Sequence, residues 1–204
     1  MSIRLHRGDL PGLAGYGDIV AIDTETLGLN PNRDRLCVVQ LSPGDGSADV
    51  VQITKGAPNA PNLVQLLTDP QRTKLFHFAR FDLAVLYKNF AVMPDPIYCT
   101  KIASRLTRTY TDKHGLKDLV KELLGHDLSK QQQSSDWGAE TLSEAQIAYA
   151  ASDVLHLHAL KERLDAMLAR EGRAEVAAAS FRYLPTRAKL DLLGFGEEDI
   201  FAHS

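Results

Sequence analysis

The chain has 204 residues, of which 44% are hydrophobic, enough for one well-buried domain that we expect to span residues 1–204. Its formal net charge is -3, so no overall positive field attracts nucleic acid, and an anionic partner would need a local basic patch or bound cations. The first residues contain no apolar signal-like core, and no apolar run reaches about 18 residues, so we expect neither export nor a membrane span.

The first half of the chain alternates strand and helix patterns. Three short β-branched runs are predicted as strands, at 18–23, 35–42 and 48–53. The last two flank the turn sequence PGDG, which predicts an antiparallel meander. The elements that follow are a helix at 61–68, a strand at 74–77 and a helix at 79–90. This order predicts an α/β fold in which helices flank a mixed β-sheet.

The second half of the chain has the spacing of helices. They are predicted at 99–108, 115–125 and 142–170. The last of them begins with Ser143 and Gln146 in the register of a capping box. The C-terminal region 174–204 is too apolar for a solvated tail, so we expect it to pack on its own domain or at a subunit interface.

The two cysteines indicate the redox state of the protein's surroundings. Cys37 and Cys99 do not have the spacing of metal ligands, and they fit free thiols in a reducing environment better than a disulfide framework. Together with the absence of an export signal, this predicts a cytoplasmic protein.

Two carboxylates occur together in the segment AIDTETLGLNP, at the end of the first predicted strand. Successive side chains of a strand point to opposite faces, so Asp23 and Glu25 share one face while Thr24 points away. Two like charges so close are unfavourable unless a cation lies between them. Taken alone, however, the pair could also be a solvated strand end.

Three further candidates follow along the chain. Asp82 lies among apolar neighbours in a predicted helix, and Tyr149 and Asp153 lie four residues apart on one helix face. Taken singly, Asp82 could be a helix-surface residue, and Tyr149 a buried tyrosine bonded to a nearby acid. With the strand pair they form a set of oxygen donors that suits Mg²⁺ or Mn²⁺. Two such cations support phosphodiester hydrolysis, which is the chemistry that the set indicates.

Three ordered motifs carry a family resemblance. DTETLGL, HFARFD and YAASD resemble the exonuclease motifs of the DEDD superfamily of 3'-5' exonucleases, in its tyrosine subclass (DEDDy). Residues 114–160 resemble the ribonuclease D branch, and RTYTDKHGLK, SKQQQSSDW and DIFAHS are similar to its NrnC-type oligoribonucleases. The resemblance implies a ribonuclease H-like exonuclease fold and two divalent cations, Mg²⁺ or Mn²⁺. One departure is Phe78, which stands where many relatives carry asparagine.

The resemblance also implies a role for each catalytic candidate. Asp23 would bridge both metals, Glu25 and Asp153 would complete the site that activates water, and Asp82 would hold the second metal, partly through water. Tyr149 would contact the attacking water. Since a free tyrosine has a pKa of about 10, its hydroxyl is protonated at neutral pH and is expected to orient the water rather than deprotonate it.

Substrate contacts are implied near the first and second motifs. Leu29 matches a leucine that wedges against or between the terminal bases, with an ordinary core leucine as the alternative, and Thr26 would lie near the 3' hydroxyl. His77, in the second motif, is a further candidate contact. Trp137, the only tryptophan of the chain, either stacks on a base or fills the core.

Phosphate groups need cationic partners away from the metals. Basic residues recur with helical spacing in two sets, Lys101, Arg105 and Arg108, and then Lys113, Lys117 and Lys121. Solvated helix faces are the alternative interpretation of both sets. The candidate phosphate contacts are Arg108, His114 and Lys130.

The predicted function is that of a metal-dependent enzyme that hydrolyses short oligoribonucleotides, including dinucleotides, from the 3' end to nucleoside 5'-monophosphates. One alternative is a broader ribonuclease D-like exonuclease that trims longer RNA and DNA. Another is an inactive nucleic-acid-binding scaffold, which the presence of all four acids and the tyrosine disfavours. The resemblance further implies a closed ring of subunits, expected to be octameric.

Overall fold

One mixed β-sheet organises the chain. The computed structural model describes residues 2–56, 59–129 and 131–203. The strands are β1 Ser2–Arg7, β2 Ile19–Thr26, β3 Leu36–Ser42, β4 Ser47–Gln52, β5 Thr73–Phe76 and β6 Ile97–Cys99. Their spatial order is β1-β4-β3-β2-β5-β6. Strands β2, β3 and β4 pair antiparallel, whereas β1, β5 and β6 join by parallel pairings. The predicted α/β fold with an antiparallel meander in a mixed sheet is confirmed.

Helices pack around this sheet. They are α1 Pro61–Thr68, α2 Ala79–Phe90, α3 Thr100–Thr107, α4 Leu116–Leu119, α5 Glu144–Leu155, α6 Leu157–Arg170 and α7 Ala174–Leu192. Helix α4 continues into a π-helical turn, Val120–Leu124. The prediction of one helix over 142–170 is wrong, because His156 leaves the helical path at φ -101° and ψ -6°. The break lets α5 pack on β2, β3 and β4 while α6 packs on α3.

Two strands of the sheet were not predicted. Strand β1 has the polar sequence SIRLHR and is mostly exposed, because it lies at the sheet edge beside β4. Its Arg4 side chain donates to buried Asp49 at 2.7 Å, and the hydroxyl of Tyr16, from the loop before β2, donates to the same carboxylate at 2.6 Å. Strand β6 has three residues, too few for a pattern of alternation.

The C-terminal helix packs on the rest of the chain. Phe181 and Leu184 of α7 are buried, and the Arg80 side chain of α2 donates to the Asp191 carboxylate through two nitrogens. Beyond the helix, Leu193 and Phe201 remain exposed. Among the residues that the structure describes, no helix is both long and apolar enough to cross a lipid bilayer.

Candidate active site

A cleft of about 640 Å³ opens where β2 ends. Its walls come from β2 and the turn that follows it, from the junction of β5 with α2, from α5 and from the segment around Trp137. The cleft therefore collects side chains that lie more than a hundred residues apart in sequence.

Three carboxylates lie together in this cleft. Asp23, Glu25 and Asp153 each offer an oxygen, and these oxygens all lie within 4.8 Å of one another. The first two share a face because they are two residues apart in β2, as the alternation of a strand predicts. Asp153 reaches them from α5, which packs on the same strand. The structure thus brings together three of the four acids that the sequence singles out.

Ionisation of these three carboxylates together is unfavourable, because like charges repel. Burial raises the pKa of Asp23 well above its usual range, and the charges of Asp82, Asp153 and Glu25 raise it further. Burial and the charges of Asp153 and Asp82 raise the pKa of Glu25 to about 9. Burial likewise raises the pKa of Asp153 to about 7. Oxygen-only donors that repel one another fit a divalent cation such as Mg²⁺ or Mn²⁺, which would relieve the repulsion.

Asp82 stands apart from the other three acids. It is 3% exposed and does not line the cleft, and its Oδ1 accepts a hydrogen bond from the hydroxyl of Thr24 at 2.6 Å. Burial raises the pKa of Asp82 to about 7. Its charge nevertheless contributes to the raised pKa values of Asp23 and Glu25. Asp82 therefore acts on the cluster electrostatically, but its oxygens are not among those that converge in the cleft.

Tyr149 and Trp137 form one wall of the cleft. Their ring centroids are 6.0 Å apart, and Trp137 is 2% exposed. With so little exposed surface, Trp137 fills the core beside the cleft and is poorly suited to stacking on a base. Burial and the charges of Asp153, Glu25 and Asp23 raise the pKa of Tyr149. Its hydroxyl is therefore protonated at neutral pH and is suited to orienting a water molecule.

The capping box at the start of α5 also holds the segment that carries Trp137. The hydroxyl of Ser143 accepts from the Gln146 backbone N–H, and Gln146 Oε1 accepts from the Ser143 backbone N–H at 2.9 Å, which confirms the predicted capping box. The same Gln146 side chain donates through Nε2 to the carbonyl of Asp136 at 3.1 Å. The segment that carries Trp137 is therefore tied to the helix that carries Tyr149.

The turn after β2 also lines the cleft. Leu29 is 87% exposed there, so it is not a core leucine, and Thr26 also lines the cleft. A side chain at Gly28 would collide with the Asp34 carboxylate, which accepts a hydrogen bond from the Asn30 backbone N–H at 3.0 Å. Glycine at this position thus leaves room for the Asp34 carboxylate, which bonds the turn beside Leu29.

The remaining substrate candidates divide into two groups. His77 lines the cleft, and its Nδ1 lies 2.9 Å from the hydroxyl of Thr100. Burial and the charge of Lys101 lower the pKa of His77 to about 3, so its ring is neutral. Lys130 lies outside the described residues.

Arg108 and His114 do not line the cleft. Arg108 is fully buried, and its guanidinium donates to the Glu122 carboxylate, to the Ser104 hydroxyl and to the carbonyl of Lys113 at 2.7 Å. His114 Nδ1 lies 2.9 Å from the same hydroxyl of Ser104. The two predicted phosphate contacts thus help to hold the segment between α3 and α4, and the structure does not place them beside the acids.

Gln40 is a site residue that the sequence analysis missed. It lies opposite Asp23 in the β2–β3 register and donates through Nε2 to Asp23 Oδ2 at 2.6 Å. It is fully buried, and within the described residues its Oε1 has no hydrogen-bond partner. A lone glutamine in the otherwise apolar run around Val39 and Leu41 is the signal that could have revealed it.

Comparison with known proteins assigns the family. Residues 13–169, most of the chain, match the family model described as 3'-5' exonuclease. The chain belongs to this 3'-5' exonuclease family. The predicted resemblance to ribonuclease D-like exonucleases of the NrnC type is confirmed by the relatives that follow.

One curated relative of this exonuclease chain is ribonuclease D of Gluconacetobacter diazotrophicus, 39% identical over 81% of this chain and 42% of the relative. The chain spans about two fifths of the length of the ribonuclease D proteins that it matches. Brucella melitensis NrnC, solved with bound Mg²⁺, is 64% identical, with a TM-score of 0.96 and 100% of both chains covered. The same protein solved bound to pGG is 65% identical, with a TM-score of 0.97 and the same full coverage.

The raised carboxyl pKa values predict how the metal-free protein responds to pH. A carboxyl whose pKa is higher in the folded state stabilises the fold at low pH, and this contribution is lost as the pH rises through the folded value. For Glu25 this stability is lost between about pH 4, its unfolded pKa, and about pH 9, its folded pKa. Glu25→Gln removes the charge, so we expect it to raise the free energy of unfolding by about 1–3 kcal/mol at pH 8.

Chemical denaturation of the metal-free protein measures this difference. At pH 5 the difference should be much smaller than at pH 8, because the pH then lies only slightly above the unfolded pKa of Glu25. A variant that is less stable than wild type at pH 8 would contradict the assignment of repulsion at this site.

Gln40→Leu tests whether the buried amide positions Asp23. Loss of its donor should weaken Mg²⁺ binding by about 10- to 100-fold, as for other groups that orient metal ligands. Stability should change little, because the variant also removes a buried acceptor without a partner. Calorimetric titration of the metal-free protein with Mg²⁺ measures the affinity. Gln52→Leu, the same change in β4, is the matched control, and equal losses in both variants would refute the role of Gln40.

Proposed function

We propose that this chain is a metal-dependent 3'-5' exoribonuclease that hydrolyses short oligoribonucleotides, including dinucleotides, to nucleoside 5'-monophosphates. The observation that carries the proposal is the cluster of Asp23, Glu25 and Asp153 in a cleft large enough for a small ligand. Membership in the 3'-5' exonuclease family supports the direction of cleavage.

The acids of the chain would hold two divalent cations. Asp23, Glu25 and Asp153 would provide direct oxygen ligands, and Asp82 would act through water, because its carboxylate is bonded to Thr24 and does not line the cleft. When bound, the cations supply acidification of a water molecule and neutralisation of charge on the phosphate.

The protein side chains perform the positioning. The protonated hydroxyl of Tyr149 orients the attacking water, and Trp137 packs against the Tyr149 ring and limits its movement. Leu29, exposed in the turn after β2, provides an apolar contact to a terminal base, and Thr26 lies close to the acids where the 3' hydroxyl would enter. The terminal phosphodiester is thereby placed over the carboxylates.

The preference for short substrates rests on the size of the cleft and on one relative. A volume of about 640 Å³ is typical of sites for small ligands, which measure about 300–1,000 Å³. Brucella melitensis NrnC has been solved bound to pGG, and we carry that class of ligand over to this chain. The net charge of -3 also disfavours an extended basic track for a long polymer.

The second candidate function is a broader exonuclease that trims longer RNA and DNA. The similarity to ribonuclease D favours it, since the chain matches about two fifths of those proteins. An inactive scaffold has no comparable support, because the four acids and Tyr149 are all present.

Cleavage of end-labelled RNA and DNA of two and of twenty residues separates these functions. We expect the RNA dinucleotide to be hydrolysed at least ten times faster than the longer RNA, and a chelator to abolish all cleavage. Equal rates on both lengths would favour the broader exonuclease, and chelator-insensitive binding without cleavage would favour the scaffold.

Tyr149→Phe tests the orienting role of the hydroxyl. We expect turnover to fall by about 10²- to 10⁴-fold, the range for loss of a positioned acid–base group, while KM changes little. Steady-state kinetics on the RNA dinucleotide give both parameters. Wild-type turnover in this variant would refute the role.

Assembly and location complete the proposal. We propose that copies associate into a closed ring, expected to be octameric from the family resemblance, and the exposed Leu193, Phe195, Ile200 and Phe201 offer apolar surface for this contact. Light scattering on the intact chain gives the number of copies. The buried free thiols of Cys37 and Cys99 support a reducing, cytoplasmic location.

A further inference from the structure

Phe78 has an unusual backbone conformation at the junction of β5 and α2. Its φ is 67° and its ψ is 43°, in the left-handed region where a residue with a β-carbon is strained. Glycine and asparagine are the residues that this region ordinarily favours. Among the residues described by the structure, the one other non-glycine with positive φ is Ala91, at the far end of α2. The turn therefore requires a left-handed residue, but it does not require an aromatic one.

The Phe78 ring also gains little from burial. It is 43% exposed and lines the same cleft as the acids and Leu29. A large aromatic side chain in a strained conformation and half in solvent is not explained by packing. Strained residues of this kind cluster at ligand sites, where the strain holds a side chain in a useful position.

A cation lies directly over this ring. Lys101 Nζ, from α3, is 4.1 Å from the centroid of Phe78, and Lys101 also lines the cleft. Within the described residues, Lys101 forms no salt bridge with a carboxylate. The neighbouring His77 is neutral, so Lys101 supplies positive charge at this wall. The pair thus combines an aromatic face with a free ammonium group beside the carboxylates.

We propose that Phe78 and Lys101 form a nucleotide subsite in which a base stacks on the Phe78 ring and Lys101 contacts a phosphate of the same substrate. This inference rests on the proposed exoribonuclease function and adds a specificity-determining pair to it. Stacking on an aromatic ring accepts any base, and a single ammonium group binds phosphate without reading sequence. The subsite would therefore favour a nucleotide over a sugar phosphate without selecting among bases.

The test compares ligands with and without each base. The probes are a non-hydrolysable pGG analogue, with a methylene group in place of the bridging 3' oxygen, and two versions that each lack one base. Affinities are measured by calorimetry for wild type, Phe78→Leu, Phe78→Tyr and Phe78→Asn. Ala91→Asn is the matched control, because it relieves the same backbone strain at the other end of α2, away from the cleft.

We expect Phe78→Leu and Phe78→Asn to bind the complete analogue about 5- to 150-fold more weakly than wild type does, the range for loss of one stacked base. Against the probe that lacks the stacked base, these variants and wild type should bind equally. Phe78→Tyr and Ala91→Asn should bind like wild type with all probes. Lys101→Met should reduce the slope of log affinity against log salt concentration by about 1.

Two results would overturn the subsite. One is wild-type affinity in Phe78→Leu, and the other is an equal loss with all three probes, which would indicate a structural role. Failure of the proposed function is distinguishable, because it would appear as wild-type protein that neither binds the analogue nor cleaves pGG. The subsite can fail while the wild-type enzyme remains fully active.

Discussion

Mutual repulsion between buried carboxylates governs how the elements around the cleft are built. Three acids converge within 4.8 Å in a partly buried cleft, and their charges oppose folding unless the scaffold is rigid. Strand β2 fixes two of them by alternation, and α5 brings the third by packing on the same sheet. Gln40 then holds Asp23 from the neighbouring strand. The sheet and helix thus hold together an electrostatically unfavourable arrangement that a bound divalent cation would relieve.

Much of the fold follows from local pattern. The meander, the helices α1 and α2 and the capping box at Ser143 were predictable, because each has a signal contained within a few residues. Strand β1 was not, since its polar side chains are explained only by its edge position and by Asp49, which is more than forty residues away. The break at His156 was equally hidden, because the apolar spacing runs through it and only tertiary packing separates α5 from α6.

The candidate site likewise combines residues that the sequence predicts with residues that it does not. The acids and Tyr149 were singled out because they stand in short motifs whose residue types and spacings the sequence displays directly, and the structure places Asp23, Glu25, Asp153 and Tyr149 in one cleft. Arg108 was proposed as a phosphate contact from its helical spacing, yet it is fully buried against Glu122, and spacing does not report burial. The bond from Gln40 to Asp23 depends on strand register, and the strained conformation of Phe78 on a backbone angle. Neither quantity can be read from a single sequence.

The hydrogen bonds of Gln146 limit how this chain can vary. One side chain begins helix α5 with Ser143 and also holds the carbonyl of Asp136, next to Trp137. A natural replacement of Gln146 would thus disturb both the capped start of α5 and the segment around Asp136. A compensating change at Ser143 could restore the helix start, but the Asp136 carbonyl would still lack its donor. Lineages that lose this glutamine are therefore expected to have rebuilt the whole segment from 136 to 146, rather than to have exchanged single residues.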